Sequence, residues 1–267
     1  MKPGPFSYAA PDSMAAALEL LATEDARPLA GGQSLVPMLN FRLAWPDLLV
    51  DLNPLAELSG IEVGGDGALR LGAMTRQAEV LRSAAVAAGW PLLSQAVSHV
   101  GHAAIRNRGT VGGSVAHADP AAELPVALTA LDARFRVRCA AGERVLSPAD
   151  FFEGALTTAL APGELLVAIE VPPAPAGARM AFLEYARTHG DFAVAGAAVV
   201  HAPGGHAAIA LLGAAPVPVR VAAAEQALAG GAPVPEVAAL AADDVRDDYR
   251  RALITALVQR AVGRTME

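Results

Sequence analysis

The 267-residue sequence contains a single cysteine, Cys139. One thiol excludes an intrachain disulfide, and it also excludes an iron–sulfur cluster held by cysteines of this chain alone. If iron–sulfur chemistry is connected with this chain, another chain must supply the cluster. A cytoplasmic location fits a chain without disulfides, and we take it as the expectation.

The sequence has no excess of basic residues. Lysine and arginine together number 20 against 27 aspartates and glutamates, so the net charge is −7 and the pI is near 5.4. A nucleic-acid partner requires clustered lysines and arginines that neutralise phosphates. The composition therefore argues against nucleic-acid binding.

Long hydrophobic runs are also absent, although the mean hydropathy is +0.38. Apolar stretches such as residues 192–200 are too short to cross a hydrocarbon layer of about 30 Å. The N-terminal segment MKPGPFSYAAPDS lacks the basic and apolar regions of a signal peptide, so neither a membrane span nor a leader is expected. Because hydrophobic residues make up 54% of the chain, it can bury a sizeable core.

Helix and strand signals alternate in the N-terminal two thirds of the chain. Ser13 is a candidate N-cap for a helix from Met14 to Leu21, and residues 77–100 have helical character with a second helix starting at Pro91. Strands are predicted where branched and aromatic residues are bounded by Gly, Pro or Asn: residues 48–52, 61–63, 69–71, 134–138 and 165–171.

The segment PPAPAG, residues 172–177, is the best candidate for a linker. Beyond it we predict two strands of small residues, 192–200 and 207–212, followed by helices at 221–229 and 247–262. The chain is therefore predicted to be an α+β protein in two parts, residues 1–172 and residues 173–267.

Two glycine segments carry the strongest functional signal: AGGQS at residues 30–34 and TVGGS at residues 110–114. Glycine lets a ligand approach the backbone, consecutive N–H groups can point at one anion, and a serine or threonine hydroxyl adds a donor. The first segment leads into a predicted helical turn at 35–39, whose N-terminus would favour a pyrophosphate. Neither segment fits G-x-G-x-x-G or G-x-x-x-x-G-K-[ST], which disfavours a Rossmann NAD site and a P-loop. Taken alone, each segment is more often an ordinary tight turn.

The context of the two segments resembles one known family. Residues 105–125, IRNRGTVGGSVAHADPAAELP, resemble the signature of the FAD-binding subunits of the xanthine dehydrogenase and carbon monoxide dehydrogenase family. Residues 30–39, AGGQSLVPML, resemble the first FAD loop of that family, and residues 182–200, FLEYARTHGDFAVAGAAVV, resemble the start of its C-terminal domain. The likeness covers essentially the whole chain.

The resemblance implies a fold. Residues 1–172 would form an FAD-binding domain of the PCMH type, built from two α/β subdomains at about residues 1–54 and 55–172. Residues 173–267 would form the small C-terminal domain of the medium flavoprotein subunit, with an antiparallel sheet and helices.

The resemblance also implies an FAD-binding set. The two glycine segments would hold the pyrophosphate through backbone N–H groups and hydroxyls, and these residues are Ala30, Gly31, Gly32, Gln33, Ser34, Leu35, Thr110, Val111, Gly112, Gly113 and Ser114. Residues facing the ribityl chain and the flavin would be His117, Asp119 and Glu123. The isoalloxazine edge would meet Leu165 and Leu166, and the ring would lie beside Asp191 and Phe192.

Two positions depart from many family members. Phe192 stands where many have tyrosine, so ring stacking is retained but the hydrogen bond of a phenol is lost. Glu184 stands near the position where some relatives carry lysine, which puts a positive charge near the flavin in doubt.

The family resemblance implies a function in a complex. This chain would bind FAD non-covalently, a large subunit would carry the molybdenum cofactor, and a small subunit would carry two [2Fe-2S] clusters. Electrons would pass from the clusters through FAD to NAD, a quinone or another acceptor, in a dimer of heterotrimers. The chain itself shows no nucleophile–His–acid set and no metal-ligand spacing, so no catalytic side chain and no metal site are predicted.

Two other functions are considered. An autonomous flavin oxidase would need a substrate pocket and a base beside the flavin, and no residue is supported as that base. An assembly subunit that has lost FAD would show degraded loops, whereas both glycine pairs, Ser34 and Thr110 are present.

Several single residues allow more than one interpretation. His99 and His102 could suggest a metal pair but fit helix-end residues better, because no third ligand is evident. Arg106 and Arg108 fit a structural or subunit-contact role or a solvated surface. Glu123 could face the cofactor or cap a helix.

Overall fold

The computed structural model describes residues 2–267. Its N-terminal part is a three-stranded parallel sheet of order β1–β3–β2 with two helices. The Ser13 hydroxyl accepts from the amide of Ala16, so the predicted N-cap is confirmed. The first glycine segment connects β2 to α2. The elements are β1 (Ser7–Ala9), α1 (Met14–Leu21), β2 (Ala26–Leu29), α2 (Leu35–Asn40) and β3 (Leu48–Asp51).

The middle part is a five-stranded antiparallel sheet of order β4–β5–β10–β6–β7, covered by helices. A 3₁₀ turn at Ala56–Leu58 leads into it, and β8 pairs with β9 in a separate two-stranded ribbon. The strands are β4 (Ile61–Val63), β5 (Leu69–Gly72), β6 (Arg134–Cys139), β7 (Gly142–Leu146), β8 (Phe152–Gly154), β9 (Thr157–Thr158) and β10 (Leu165–Val171). The helices are α3 (Gln77–Arg82), α4 (Ala84–Gly89), α5 (Pro91–His99), α6 (Ala103–Arg108), α7 (Val111–His117), α8 (Glu123–Ala130) and α9 (Pro148–Phe151).

The C-terminal part is a four-stranded antiparallel sheet in sequential order with three helices after it. Asp247 caps the last helix by accepting from the amide of Arg250 at 2.7 Å. The elements are β11 (Arg179–Tyr185), β12 (Ala195–Ala202), β13 (His206–Leu212), β14 (Val219–Arg220), α10 (Ala222–Ala229), α11 (Val234–Ala242) and α12 (Asp248–Met266).

The C-terminal sheet is buried on both faces. Ala198 and Val200 of β12 belong to the core that contains α5 and α8, whereas Ala197 and Val199 belong to the core formed with α10–α12. Because successive side chains of a strand point to opposite faces, a strand covered on both sides must be apolar throughout. Small alanines let helices pack closely against both faces of the strand. Burial on both faces explains why apolar and polar residues do not alternate in this segment.

Helix α8 lies at the centre of the molecule, and all eight of its residues are buried. It packs on α5 and on β12 and β13, so one hydrophobic cluster extends from the middle part into the C-terminal sheet. Helices that are apolar on every side are buried in the core of a protein. The middle part and the C-terminal part of the chain are therefore joined by a continuous core.

The predicted α+β class, with a C-terminal antiparallel sheet and helices, is confirmed. The helical stretch 77–100 is divided into three helices, because Ser83 ends α3 and caps α4 and Trp90 adopts a non-helical conformation before Pro91. The predicted strand 192–200 begins only at Ala195, and the segment before it is a loop. The sequence did not predict strands β1, β2, β7, β8, β9, β11 and β14 or helices α6, α7, α8, α9 and α11.

No helix within residues 2–267 is long and apolar enough to cross a membrane. The same residues contain no group of three or more His, Cys, Asp and Glu side chains that could hold a metal ion.

The position of α8 generates a stability prediction. Leu128 is fully buried in the hydrophobic cluster that extends into the C-terminal sheet, so Leu128→Ala leaves a cavity there and should lower the free energy of unfolding by about 2–5 kcal/mol. Leu43 is 69% exposed, and Leu43→Ala is the matched control with an expected loss under about 0.5 kcal/mol. Urea unfolding followed by circular dichroism measures both. Equal losses in the two variants would contradict a central position for α8.

Candidate functional site

A cleft of about 470 Å³ lies where the three parts of the chain meet. Every residue of the predicted FAD-binding set lines it except Val111, whose side chain is fully buried in the core. Residues separated by more than 150 positions in the sequence are thus brought to one surface. The lining members of the set are Ala30, Gly31, Gly32, Gln33, Ser34, Leu35, Thr110, Gly112, Gly113, Ser114, His117, Asp119, Glu123, Leu165, Leu166, Asp191 and Phe192.

The cleft has further walls that sequence reasoning missed. They are largely apolar or glycine residues contributed by loops and by the ends of helices, and no motif marks them. A residue of this kind becomes part of a site only through the packing of distant elements. The main ones are Pro28, Leu52, Met74, Gln77, Val100, Gly101, Ile105, Ala122 and Leu160.

The first glycine segment offers unpaired backbone donors. The amides of Gly31 to Leu35 donate to no acceptor within residues 2–267, and all five residues line the cleft. Gly32 has φ of 73°, a conformation that favours glycine, and its carbonyl accepts from Val36 as α2 begins. Five consecutive free N–H groups at a helix start form a suitable cradle for an anion. The residues present therefore fit the pyrophosphate of FAD.

The second glycine segment is the first turn of α7 rather than a loop. The amides of Val111 and Gly112 donate to the carbonyls of Thr75 and Ala73 at 3.0 and 2.8 Å. The amide of Gly113 donates to the Thr110 hydroxyl oxygen at 3.0 Å, and that of Ser114 to the Thr110 carbonyl at 3.2 Å. These four N–H groups are already engaged. The segment can therefore offer a ligand its hydroxyls and the open surface of Gly113, and not the row of amides that we expected.

Two of the glycines are required by backbone packing. A Cβ atom at Gly31 would lie 2.2 Å from the carbonyl oxygen of Arg108, and one at Gly112 would lie 2.7 Å from the carbonyl oxygen of Ala73. Both glycines thus allow backbone to approach backbone, and both also line the cleft. The nearest atoms to a Cβ at Gly113 would be the Thr110 hydroxyl oxygen at 2.7 Å and Ala30 Cβ at 3.5 Å, between the two segments.

An acidic group lies in another wall of the cleft. Glu123 is the first residue of α8 and is 7% exposed, so burial raises the pKa of its carboxyl to about 8, with the charges of Glu184 and Asp119 adding to the effect. Its own backbone amide and His99 act in the opposite direction. A buried carboxyl of this kind retains its proton near neutral pH. Glu123 therefore faces the cleft as a neutral acid.

His99 pairs with Glu184. The Nδ1 atom of His99, at the end of α5, lies 3.3 Å from Oε1 of Glu184 on β11. The hydrogen bond that the His99 imidazole donates to Glu184 raises the pKa of His99, as does the charge of the carboxylate. The other oxygen of Glu184 is buried without a hydrogen-bond partner in the described chain. The interpretation of His99 as a helix-end residue is confirmed, with an added ion-pair role.

Two arginines near the cleft have different surroundings. The guanidinium of Arg106 donates to the carbonyls of Val100 and Gly101 at 2.8 and 2.9 Å, so it holds the turn after α5. Arg108 is exposed and lines a second groove on the outer side of the first glycine segment, next to Tyr8 and Asp51. Arg106 is structural, in agreement with one of its two interpretations.

The remaining walls carry features suited to an aromatic ring. Leu165 and Leu166 begin β10, where the pairing with β6 shifts register between Leu166 and Ala168, and such bulges change the direction of a strand. Phe192 is 74% exposed on the loop between β11 and β12. A large aromatic side chain left open at the rim of a cleft is available to cover a planar ligand.

Comparison with known proteins agrees with this geometry. Residues 4–174 match the family described as the FAD binding domain in molybdopterin dehydrogenase. The alpha subunit of the 6-hydroxypseudooxynicotine dehydrogenase complex of Paenarthrobacter nicotinovorans is 46% identical over 202 residues, which cover 75% of this chain and 68% of that one. The carbon monoxide dehydrogenase medium chain of Afipia carboxidovorans is 41% identical over 202 residues, covering 75% of this chain and 70% of that one.

A solved structure extends the likeness to the whole chain. A chain of the carbon monoxide dehydrogenase from Hydrogenophaga pseudoflava superposes with a TM-score of 0.94 at 38% identity, covering 100% of this chain and 99% of that chain. The protein therefore belongs to the FAD-binding subunits of the molybdopterin dehydrogenases, which are oxidoreductases also called molybdenum hydroxylases. The family resemblance in its sequence is confirmed.

The surroundings of Gly113 give a prediction about the ligand. Gly113→Val places a branched side chain between Ala30 and Thr110, so FAD affinity should fall at least about tenfold. The fold should survive, with a cost of about 1 kcal/mol if the Thr110 cap is disturbed. Gly263→Val, in a helix with open space around the glycine, is the control and should bind FAD normally. A Gly113→Val variant that purifies with as much bound FAD per chain as the wild type would contradict a ligand position beside Gly113.

The raised pKa of Glu123 gives a prediction about pH. The folded chain holds this proton more tightly than the unfolded chain, whose glutamate has its ordinary value of 4.5. This contribution to stability is complete below pH 4.5 and is lost as pH rises through about 8. Relative to Glu123→Gln, the wild-type chain should lose up to about 1.4 kcal/mol of unfolding free energy per pH unit within that window.

Chemical unfolding of the FAD-free chain at several pH values measures the difference. Glu19→Gln, which removes an exposed carboxyl on α1, is the control and should follow the wild-type slope. If the wild-type and Glu123→Gln curves remain parallel from pH 5 to about 8, the buried carboxyl does not titrate as described.

Proposed function

We propose that the cleft holds one FAD non-covalently and that the chain relays electrons within a molybdenum hydroxylase complex. The observation that carries the proposal is the row of five free amides at residues 31–35, in a cleft that also contains the neutral Glu123 and the exposed ring of Phe192. Each feature suits a different portion of a dinucleotide that carries a flat aromatic ring.

On this proposal, the chain binds and orients the cofactor without reacting itself. The amides of Gly31 to Leu35 would hold the pyrophosphate, and the hydroxyls of Thr110 and Ser114 would lie beside it. His117, Asp119 and Glu123 would face the ribityl chain and the flavin. The start of β10 at Leu165 and Leu166 would meet the ring edge, with Asp191 and Phe192 beside the ring.

When bound, FAD would supply the redox chemistry, because a flavin can take electrons singly and give them up in pairs. The chain's part is to exclude water from the ring with Phe192 and the apolar walls. A protonated Glu123 adds no negative charge to a wall that would face a reduced, electron-rich ring. The residues that line the cleft would thus set the conditions for electron transfer.

The proposed electron path involves partner subunits. The single cysteine cannot hold an iron–sulfur cluster, so the donor clusters belong to another chain. We propose a small subunit with two [2Fe-2S] clusters, a large subunit with the molybdenum cofactor, and NAD, a quinone or another acceptor for the electrons. We further propose a dimer of heterotrimers in the cytoplasm, with an FAD-binding domain at residues 1–172 and a C-terminal domain at residues 173–267.

An autonomous flavin oxidase is the second candidate. It would need a base beside the ring, and the acidic side chain buried in the cleft wall, Glu123, retains its proton near neutral pH. A neutral acid is a poor proton acceptor. Glu123 is therefore not suited to be the base that an oxidase would need.

The proposal predicts a characteristic spectrum. The purified full chain should show bands at about 375 and 450 nm, and acid precipitation should release the chromophore into the supernatant because FAD is not covalently attached. Chromophore in the pellet would support covalent attachment and an oxidase. If neither the chain with added FAD nor the co-purified complex shows flavin, the relay function is wrong.

A second measurement addresses electron transfer. Anaerobic addition of NADH to the FAD-loaded complex should bleach the band at about 450 nm if NAD is the acceptor, since the transfer is reversible. Bleaching by a quinol and not by NADH would identify a quinone acceptor. Flavin that neither donor nor the substrate of the complex reduces would contradict the relay.

A further inference from the structure

Arg76 connects the two glycine segments although its side chain does not line the cleft. It is the residue before α3, and its amide donates to the Glu79 carboxylate at 2.8 Å. Its guanidinium donates to Oδ1 of Asn53 at 2.5 Å and also to the backbone carbonyl of Arg108. The forked geometry of a guanidinium allows one side chain to hold both acceptors.

Asn53 links the Arg76 guanidinium to the first glycine segment. Its Nδ2 atom donates to the carbonyl of Ala30 at 3.1 Å and to Oδ1 of Asp51 at 2.5 Å. Its backbone amide also donates to Oδ1 of Asp51 at 2.9 Å. The side-chain amide is thus held on both sides, and the carbonyl immediately before Gly31 is fixed through it.

The hydrogen bond from Arg76 to the Arg108 carbonyl fixes the backbone before α7. The Arg108 carbonyl that accepts from Arg76 is the atom against which Gly31 packs, since a Cβ at Gly31 would lie 2.2 Å from it. The neighbouring backbone is paired to the turn that contains Arg76, because Gln77 donates to Gly109 and Val111 donates to Thr75. One guanidinium therefore meets the point where the two segments touch.

Both acceptors of the guanidinium are neutral, so the contacts are charge-assisted hydrogen bonds and not ion pairs. Such bonds are stronger than those between neutral groups. The positive charge of Arg76 also remains next to the segment whose five amides are free. The hydrogen bonds of Arg76 orient the first glycine segment, and its positive charge lies next to that segment. Both effects favour an anion bound there.

We propose that Arg76 is a positioning residue for FAD: through Asn53 and the Arg108 carbonyl it holds the two glycine segments at the spacing that a pyrophosphate requires. This inference rests on the proposed function of the cleft. It adds a residue outside the cleft that acts on the cofactor through other groups.

The first test uses the FAD-free full chain. In Arg76→Gln, the hydrogen-bonded amides of the two segments should exchange at least about tenfold faster than in wild type, because both segments lose a fixed carbonyl. The amides to follow are those of Val36, Gly109, Val111 and Gly112. Arg70→Gln is the matched control, since Arg70 lies on the adjacent strand with a side chain 45% exposed and a contact of 3.9 Å to Glu62. Unchanged exchange in Arg76→Gln would overturn the proposal without reference to FAD.

The second test compares ligands that do or do not contain a pyrophosphate. Arg76→Gln should weaken FAD and ADP by a similar factor of about tenfold or more, and FMN, which lacks the pyrophosphate, should be little affected. Arg76→Lys should be intermediate, because one ammonium cannot hold both acceptors in the fork geometry. A variant that is only unstable would weaken all three ligands alike.

A double-mutant cycle tests the route through Asn53. Asn53→Ala should also weaken FAD binding. The double variant should be weaker than wild type by much less than the product of the two single factors, because the residues act in series. Multiplicative effects would overturn the route, as would wild-type FAD affinity in Arg76→Gln. If exchange responds as expected but the wild-type complex binds no FAD, the connection between the segments stands and the proposed function fails.

Discussion

The structure depends on the contact between two stretches of backbone, Ala30–Gly31 and Arg108–Gly109. Only a residue without a side chain fits there, since a Cβ at Gly31 would lie 2.2 Å from the Arg108 carbonyl oxygen. That contact joins the parallel N-terminal sheet to the helices on the middle sheet, and the cleft opens beside it. Hydrogen bonds from Arg76 and Asn53 converge on the same point. A glycine that looks like a ligand contact in the sequence is thus first a requirement of packing.

The backbone amides of the first glycine segment are available to a ligand, whereas those of the second stabilise the fold. The first keeps its amides free because the chain turns sharply at Gly32, so α2 begins with unpaired donors. The second begins α7, and its amides are used to pack that helix against residues 73–75. Backbone donors paired inside the chain stabilise the fold, and those left unpaired are available to a ligand. Similar sequences therefore have different physical roles.

Electrostatics at the cleft also differ from what a net charge of −7 suggests. The first segment offers N–H groups, and Arg76 places a cation behind it. In another wall, burial keeps the Glu123 carboxyl protonated. Nearby, Glu184 is paired with His99. The site can thus accept an anionic dinucleotide although the protein as a whole is acidic, because the local environment decides the charge that a ligand meets.

The sequence by itself determined the fold class, half of the strands, the cap at Ser13, the two glycine segments and the family, because these depend on local patterns and on the order of motifs. Only the tertiary structure decided which amides stay free, why Gly31 and Gly112 must be glycine, and that Arg76 joins the two segments. It also decided the division of residues 77–100 into three helices and the proton on Glu123. Hydrogen-bond partners, close backbone approach and burial arise between residues far apart in the chain, so no local pattern specifies them.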